Sequence, residues 1–263
     1  MLKLNAIHQN KIWGYERWIA STHRDGCQSE FLSFYGKDYP LIVKVIQANE
    51  ALSVQVHPDD ALAKQLEGEN ERGKTECWYI LDAQKDAKLI YGIKKGVSKE
   101  QIESAIKAGN LEEKMNYVSV KKGDFVFIPA GTVHAIGGGL RLMEVQQSSN
   151  TTYRLYDYNR GREIHVEKGL QAVKTDSLLP IEQFKGEFDC PYFSLKKHDV
   201  KSSATFEKSV EVRLFYAISA ESGAKITCGE ESESVSAEDI FAVSSGESIE
   251  FNGNLSLMEI VAK

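Results

Sequence analysis

GDFVFIPAGTVH, Gly123 to His134, reads as one strand ending in a tight turn that delivers a histidine. Phe125-Val126-Phe127-Ile128 is an apolar run rich in aromatic and β-branched residues, which suits a buried strand. Pro129-Ala130-Gly131 is turn chemistry, so His134 is expected where a loop can aim it into the mouth of a barrel. LSVQVHPDD, Leu52 to Asp60, is the counterpart. Side chains alternate across a strand, which predicts Ser53, Gln55 and His57 on one face and Leu52, Val54 and Val56 on the other. KTECWYIL repeats the relation, with Lys74 and Glu76 two residues apart.

Polar groups on buried strand faces cost free energy unless something pairs with them. Gln55, His57, Glu76 and His134 offer an amide, two imidazoles and a carboxylate, a set suited to a borderline cation such as zinc. The charges also bear on what the site does. A divalent ion held by one carboxylate and three neutral groups keeps a net positive charge, useful against a developing oxyanion. Four thiolates would reverse that balance, so the pattern points to chemistry rather than to a structural staple. His8, His23 and His198 have no such neighbours and read as surface or core histidines.

Around these stretches the chain is mostly short strands. PLIVKVIQ, CWYIL, KLIYGI, LRLMEVQQ and TYRLYDY all carry β-formers bounded by turn residues, favouring a barrel or sandwich over alternating βαβ units. Two helices are expected. One runs from Ala61 to Leu66 behind the capping pair Asp59-Asp60, and the other from Lys99 to Ala108. The second opens on the capping box Ser98-x-x-Gln101 and stops at Gly109. It lies within a small helical insertion at about residues 97–114. After Lys174 the texture changes, with a linker from Thr175 to Gly186 and a second set of strands. The expected domains are therefore 1–175, carrying the metal residues, and 176–263, a β domain without a metal motif. GDFVFIPAG and EDIFAVSSG share an acid, an aromatic and an apolar step, which hints at a repeated sheet unit.

The 263 residues are 42% hydrophobic and carry a net charge of −6, enough apolar material for one large core or two small ones. That charge gives no general attraction to nucleic acid or anionic membrane, although a local group of Lys and Arg could still hold an anionic substrate. No apolar run of membrane-spanning length or export-signal pattern stands out. The four cysteines are widely spaced without a CxxC, so they are expected to be reduced thiols in a cytoplasmic protein.

The run from Gly123 to His134 fits the cupin pattern G-x5-P-x-G-x2-H, with Gly138 at the position of the customary closing Asn. At LSVQVHPDD, GKTECWYIL, PAGTVHAIGGGL and SSNTTYRLYDYNR the chain resembles the type I mannose-6-phosphate isomerases in their shorter bacterial form. KIWG at Lys11 to Gly14 and REIHVEKGLQAV at Arg162 to Val173 add to the likeness, which covers most of residues 11–173. The resemblance implies a mainly β fold of two cupin-like (jelly-roll) domains. It also implies one zinc ion per chain and interconversion of mannose 6-phosphate and fructose 6-phosphate through a cis-enediol. It makes Gln55, His57, Glu76 and His134 the metal ligands, places Arg154 in the catalytic site, and puts Ser53 and Lys74 near the sugar phosphate. The implied partner is a small sugar phosphate, and the assembly a monomer or homodimer.

Three departures stand beside that likeness. Asn150 occupies a position where longer relatives carry an acid, leaving Glu144, Asp157, Lys74 or a metal-bound water as candidate proton-transfer groups. The chain passes almost directly from Phe34-Tyr35-Gly36 to Pro40, and its C-terminal half has no metal motif. Lys44, inside an apolar strand, is placed either at the site or on a sheet edge. A non-catalytic sugar-phosphate-binding cupin and an iron-dependent cupin oxygenase are the competing readings.

Overall fold

Antiparallel strand pairing builds the core of the computed structural model, which describes residues 1–175 and 178–263. Residues 176 and 177, where the second domain was expected to begin, lie outside the described residues. The chain divides into two compact units, one of His8–Arg17 and Val43–Gln183, the other of Met1–Ile7, Trp18–Ile42 and Phe184–Lys263.

In the unit that holds the candidate site, the strands Asp124–Ile128, Glu76–Ala83, Leu140–Gln147 and residues 43–48 of Leu41–Ala48 lie side by side in that order. A second sheet runs Tyr153–Tyr156, Val54–Val56, His134–Ile136, Lys88–Ile93 and Met115–Ser119. The alternation of each strand decides what fills the space between them. Trp78, Ile80, Val126, Ile128 and Leu142 of the first sheet meet Leu89, Tyr91 and Ile136 of the second in one buried cluster. Val54, Val56, Ile90 and Ala135 point the opposite way and pack with Ile102, Ala105 and Ala172 from two helices. The second sheet is thus covered on both faces, so polar groups on its inner face must find partners.

The helix Asp60–Glu67 begins at Asp59, whose side chain accepts from the Leu62 N–H at 3.0 Å. The helix Lys99–Ala108 has the expected capping box, and Gly109 closes it in the left-handed conformation. Two further helices, Ser29–Tyr35 and Val166–Ala172, were not expected. Neither has a side-chain cap, each is seven residues long, and the second contains Gly169. Local signals are weak there, and packing decides.

The other unit also pairs two sheets. Ile240–Val243, Arg213–Ala220, Leu255–Ala262 and Phe193–Val200 form part of one, while Ile249–Asn252 and Lys225–Cys228 belong to the other. Phe215, Phe241, Phe251, Ile226 and Leu257 fill the core. The repeat suggested by sequence has a structural echo. Asp124 accepts the Lys121 N–H at 2.8 Å, and Asp239 accepts the Ser236 N–H at 2.8 Å, closing the same four-residue turn before a strand.

This division differs from the expected 1–175 and 176–263. Leu2–Lys3 pairs with Ile240–Val243, so the first residues of the chain belong with the last third. Strand pairing across such a sequence distance leaves no mark in local texture. None of the four cysteines forms a disulfide. Among the described residues no helix is long and apolar enough to cross a membrane.

Candidate metal centre

The candidate ligands come from separate strands that the sheets bring to one point. Cα register sets His134 opposite Gln55 on one side and Tyr91 on the other, and Arg154 also opposite Gln55. His134 opens its strand directly after the turn at 129–133. His57 follows the Val54–Val56 strand, and Glu76 begins the strand Glu76–Ala83. One prediction of alternation fails at its end. Leu52 packs into the cluster between the sheets, not with Val54 and Val56, because the strand starts only at Val54.

Each imidazole is oriented by its far nitrogen. His57 Nδ1 lies 2.9 Å from the Thr151 carbonyl and His134 Nδ1 lies 2.9 Å from the Thr132 carbonyl. A carbonyl oxygen can only accept, so both Nδ1 atoms carry the proton and both Nε2 atoms present lone pairs. Those lone pairs face a carboxylate. His134 Nε2 is 3.3 Å from Glu76 Oε1, and His57 Nε2 is 3.6 Å from Glu76 Oε2. The Gln55 amide lies 3.3 Å from His134 Nε2, and turning that amide over would present its carbonyl oxygen at the same place.

Burial makes this arrangement costly without a cation. His57, Glu76 and His134 are all essentially inaccessible, and His57 Nε2 and Glu76 Oε1 have no hydrogen-bond partner. Burial first, then the Lys74 charge, holds His57 well below its ordinary pKa, and burial draws His134 down to about 4. Both rings are neutral at pH 7 and cannot serve as counterions. Burial, with the charge of Glu144, pushes Glu76 up to about 7, a strain that a cation at the point of convergence removes. The three side chains offer one ligand atom each within 4.8 Å of one another, and their donor set fits a metal ion.

Beside this centre lies a cavity of about 300 Å³ whose wall includes Ser53, Gln55, Lys74 and Arg154. The Arg154 Nε–H donates to Ser53 Oγ at 3.3 Å and its Nη1 to the Glu163 carbonyl at 2.9 Å. Lys74 Nζ is 3.0 Å from Glu76 Oε2, so its charge sits against the Glu76 carboxylate. The wall also carries Lys44, Glu144, Asn150 and Arg162. Lys44 is buried and pairs with Glu144 Oε1 at 3.3 Å, while Trp78 Nε1–H donates to Glu144 Oε2 at 2.9 Å. A charge set in an otherwise apolar strand was the sequence signal for Lys44. Lys11, Glu16 and Arg162 also line the cavity, and no spacing rule pointed to their roles. Asp157 is not on this wall. It is buried and grips Arg162 through both carboxylate oxygens, with Arg160 at 3.0 Å.

Fold and site together define a cupin-type β protein with a buried His–Glu–His group able to hold a metal ion next to a polar cavity. A family profile described as phosphomannose isomerase type I, catalytic domain, matches residues 15–76. A mannose-6-phosphate isomerase of Streptococcus mutans is 35% identical over 236 residues, covering 84% of this chain and 73% of the relative. One from Bacillus subtilis is 40% identical over 202 residues, covering 71% of this chain and 64% of the relative. The chain belongs to the type I mannose-6-phosphate isomerase family. A crystal structure of mannose 6-phosphate isomerase from Bacillus subtilis superposes with a TM-score of 0.85 at 26% identity over 98% of both chains. A variant of phosphomannose isomerase from Salmonella typhimurium gives 0.76 at 14% identity over 99% of both, a likeness of fold alone.

Proposed function

We propose that this chain is a zinc-dependent aldose–ketose isomerase that interconverts mannose 6-phosphate and fructose 6-phosphate through a cis-enediol. The observation that carries the reading is the convergence of two neutral imidazole lone pairs and a buried carboxylate beside a cavity lined by Arg154. His57, Glu76 and His134 would hold one zinc ion, with Gln55 as fourth ligand. Bound there, zinc supplies a Lewis acid next to the sugar's C1 and C2 oxygens.

The rest of the work falls to the chain's own side chains. Arg154 stays charged even half-buried and directs N–H groups at the negative charge that develops on the enediolate. Isomerisation also needs a group that moves a proton between C1 and C2. Burial raises Glu144, but the charges of Lys74 and Lys44 and the Trp78 hydrogen bond outweigh it and keep the carboxylate ionised. Burial lowers Lys74, but Glu76 and Glu144 outweigh it, so Lys74 remains an ammonium and is no base at neutral pH. Asp157 is spent on Arg162 and Arg160. Among the three side-chain candidates Glu144 remains, and it is assigned the proton transfer with Lys44 as its counterion. Ser53 and Lys74 face the substrate from the metal side and supply contacts for its polar groups.

The unit of His8–Arg17 and Val43–Gln183 carries this chemistry, and the other unit acts as a cupin-like support, in a cytoplasmic monomer or homodimer. Coupled turnover of mannose 6-phosphate by metal-assayed protein tests the reading. Zinc near one equivalent with isomerase activity supports it. Tight sugar-phosphate binding without turnover would favour a binding protein, and iron with oxygen consumption a cupin oxygenase.

A further inference from the structure

We infer that Arg162, held in place by the buried carboxylate of Asp157, binds the phosphate group of the substrate in the cavity. This rests on the isomerase reading and adds a cation to the side chains expected at the phosphate, Ser53 and Lys74.

The cations around the cavity differ in what they already face. Lys74 lies against Glu76, Lys44 against Glu144, and Lys11 3.7 Å from Glu16. Each lysine thus has a carboxylate beside it. The arginine end is different. The hydrogen bonds of Arg154 go to a hydroxyl and a carbonyl, both neutral. Arg154, Arg160 and Arg162 lie close enough to influence one another, and the one buried acid among them is Asp157. Glu163, the other acid of this loop, is 82% exposed at its side chain. Three guanidiniums around one buried carboxylate repel one another unless a further anion joins them, and a phosphate dianion has the charge and the oxygen geometry to do so.

The loop is built to hold this arrangement. Tyr158 and Asn159 are consecutive non-glycine residues at φ 52° and 59°, a left-handed turn that costs free energy and persists only when its surroundings enforce it. It folds the chain back so that the Arg160 N–H donates to the Asp157 carbonyl at 3.0 Å. The same turn lets Arg162 meet Asp157 through Nε and Nη2. That contact uses one edge of the guanidinium and leaves Nη1 for the cavity that Arg162 lines. Asp157 touches no substrate in this arrangement. It is a positioning residue that acts through Arg162.

Calorimetric binding of mannose 6-phosphate and of inorganic phosphate to zinc-loaded protein, together with steady-state kinetics, tests this. Arg162→Ala should weaken both ligands by roughly tenfold or more, raise KM more than it lowers kcat, and leave zinc content unchanged. Arg162→Lys should recover part of the loss. Asp157→Asn should weaken binding in the same sense, with Asp157→Glu restoring it in part, a pattern that loose folding would not produce. Arg162→Ala that binds both ligands as tightly as wild type overturns the inference, as does wild-type protein that binds neither. Weakened binding in the variant with no isomerisation by wild type would support the phosphate site while overturning the isomerase reading.

Discussion

A histidine's fitness to bind a metal is decided by the nitrogen that does not touch it. In this chain the carbonyls of Thr151 and Thr132 fix the tautomers of His57 and His134 and point both lone pairs at Glu76. The sequence supplied the residue types and their alternation, but neither carbonyl could be inferred from it, since Thr151 lies far along the chain from His57. Arg154 was legible only through family likeness. Its position opposite Gln55 on the neighbouring strand gives the physical reason it reaches the site. Because its charge matters most when the enediolate forms, Arg154→Ala should lower kcat roughly 10²-fold or more while zinc is retained, checked by kinetics beside metal analysis. An unchanged kcat would remove Arg154 from the mechanism. Asp157 gives a pH-dependent prediction at the same scale. Burial raises its pKa, but Arg162 and Arg160 outweigh that and hold it below the ordinary carboxylate range. A depressed folded pKa stabilises the protein above the unfolded value of about 3.9 and is lost as pH falls through the folded value. Wild type should therefore be more stable than Asp157→Asn at pH 7, with the difference shrinking below about pH 4 in denaturant titrations. A difference unaffected by pH would mean that the ion pair contributes nothing.

Among the elements, the helix opening at Ser98 was readable to the residue because its cap is a local signal, whereas Ser29–Tyr35 and Val166–Ala172 depend on packing. The strand before His57 was readable in period but not in extent, which is why Leu52 fell on the unexpected side. The closing position of the cupin pattern, Gly138, is a crowded one. A Cβ at Gly138 would lie 3.0 Å from the Asn49 carbonyl and 3.2 Å from Glu50 Cα, so even the first atom of a side chain is crowded. Gly73 is tighter still. A Cβ there would lie 2.5 Å from the backbone of Asp59 and Asp60, just ahead of Lys74 and Glu76. Gly73→Ala must push the loop after His57 away from the start of the Glu76 strand. It should cost roughly 1–3 kcal/mol in chemical denaturation and weaken zinc retention together. Wild-type stability and zinc content in this variant would show that the two segments can separate without disturbing the centre.

At the scale of the whole molecule, the strand content and the Gln55–His57 spacing were legible because both follow a two-residue period, whereas His134 was read from the turn before it. The division into units was not, since Leu2–Lys3 finds its partner strand at Ile240–Val243. The cavity is similarly dispersed. Lys11, Lys44, Glu144 and Arg162 reach it from separate parts of the chain, and only the folded sheets put them on one wall. On the proposed reading, the stretch ending at His134 delivers a ligand to a metal on which isomerisation depends. Zinc stoichiometry and mannose 6-phosphate turnover measured on the same preparation of His134→Ala test it most directly. Zinc and activity should be lost together. Wild-type activity in this variant, or stoichiometric zinc still bound, would contradict it.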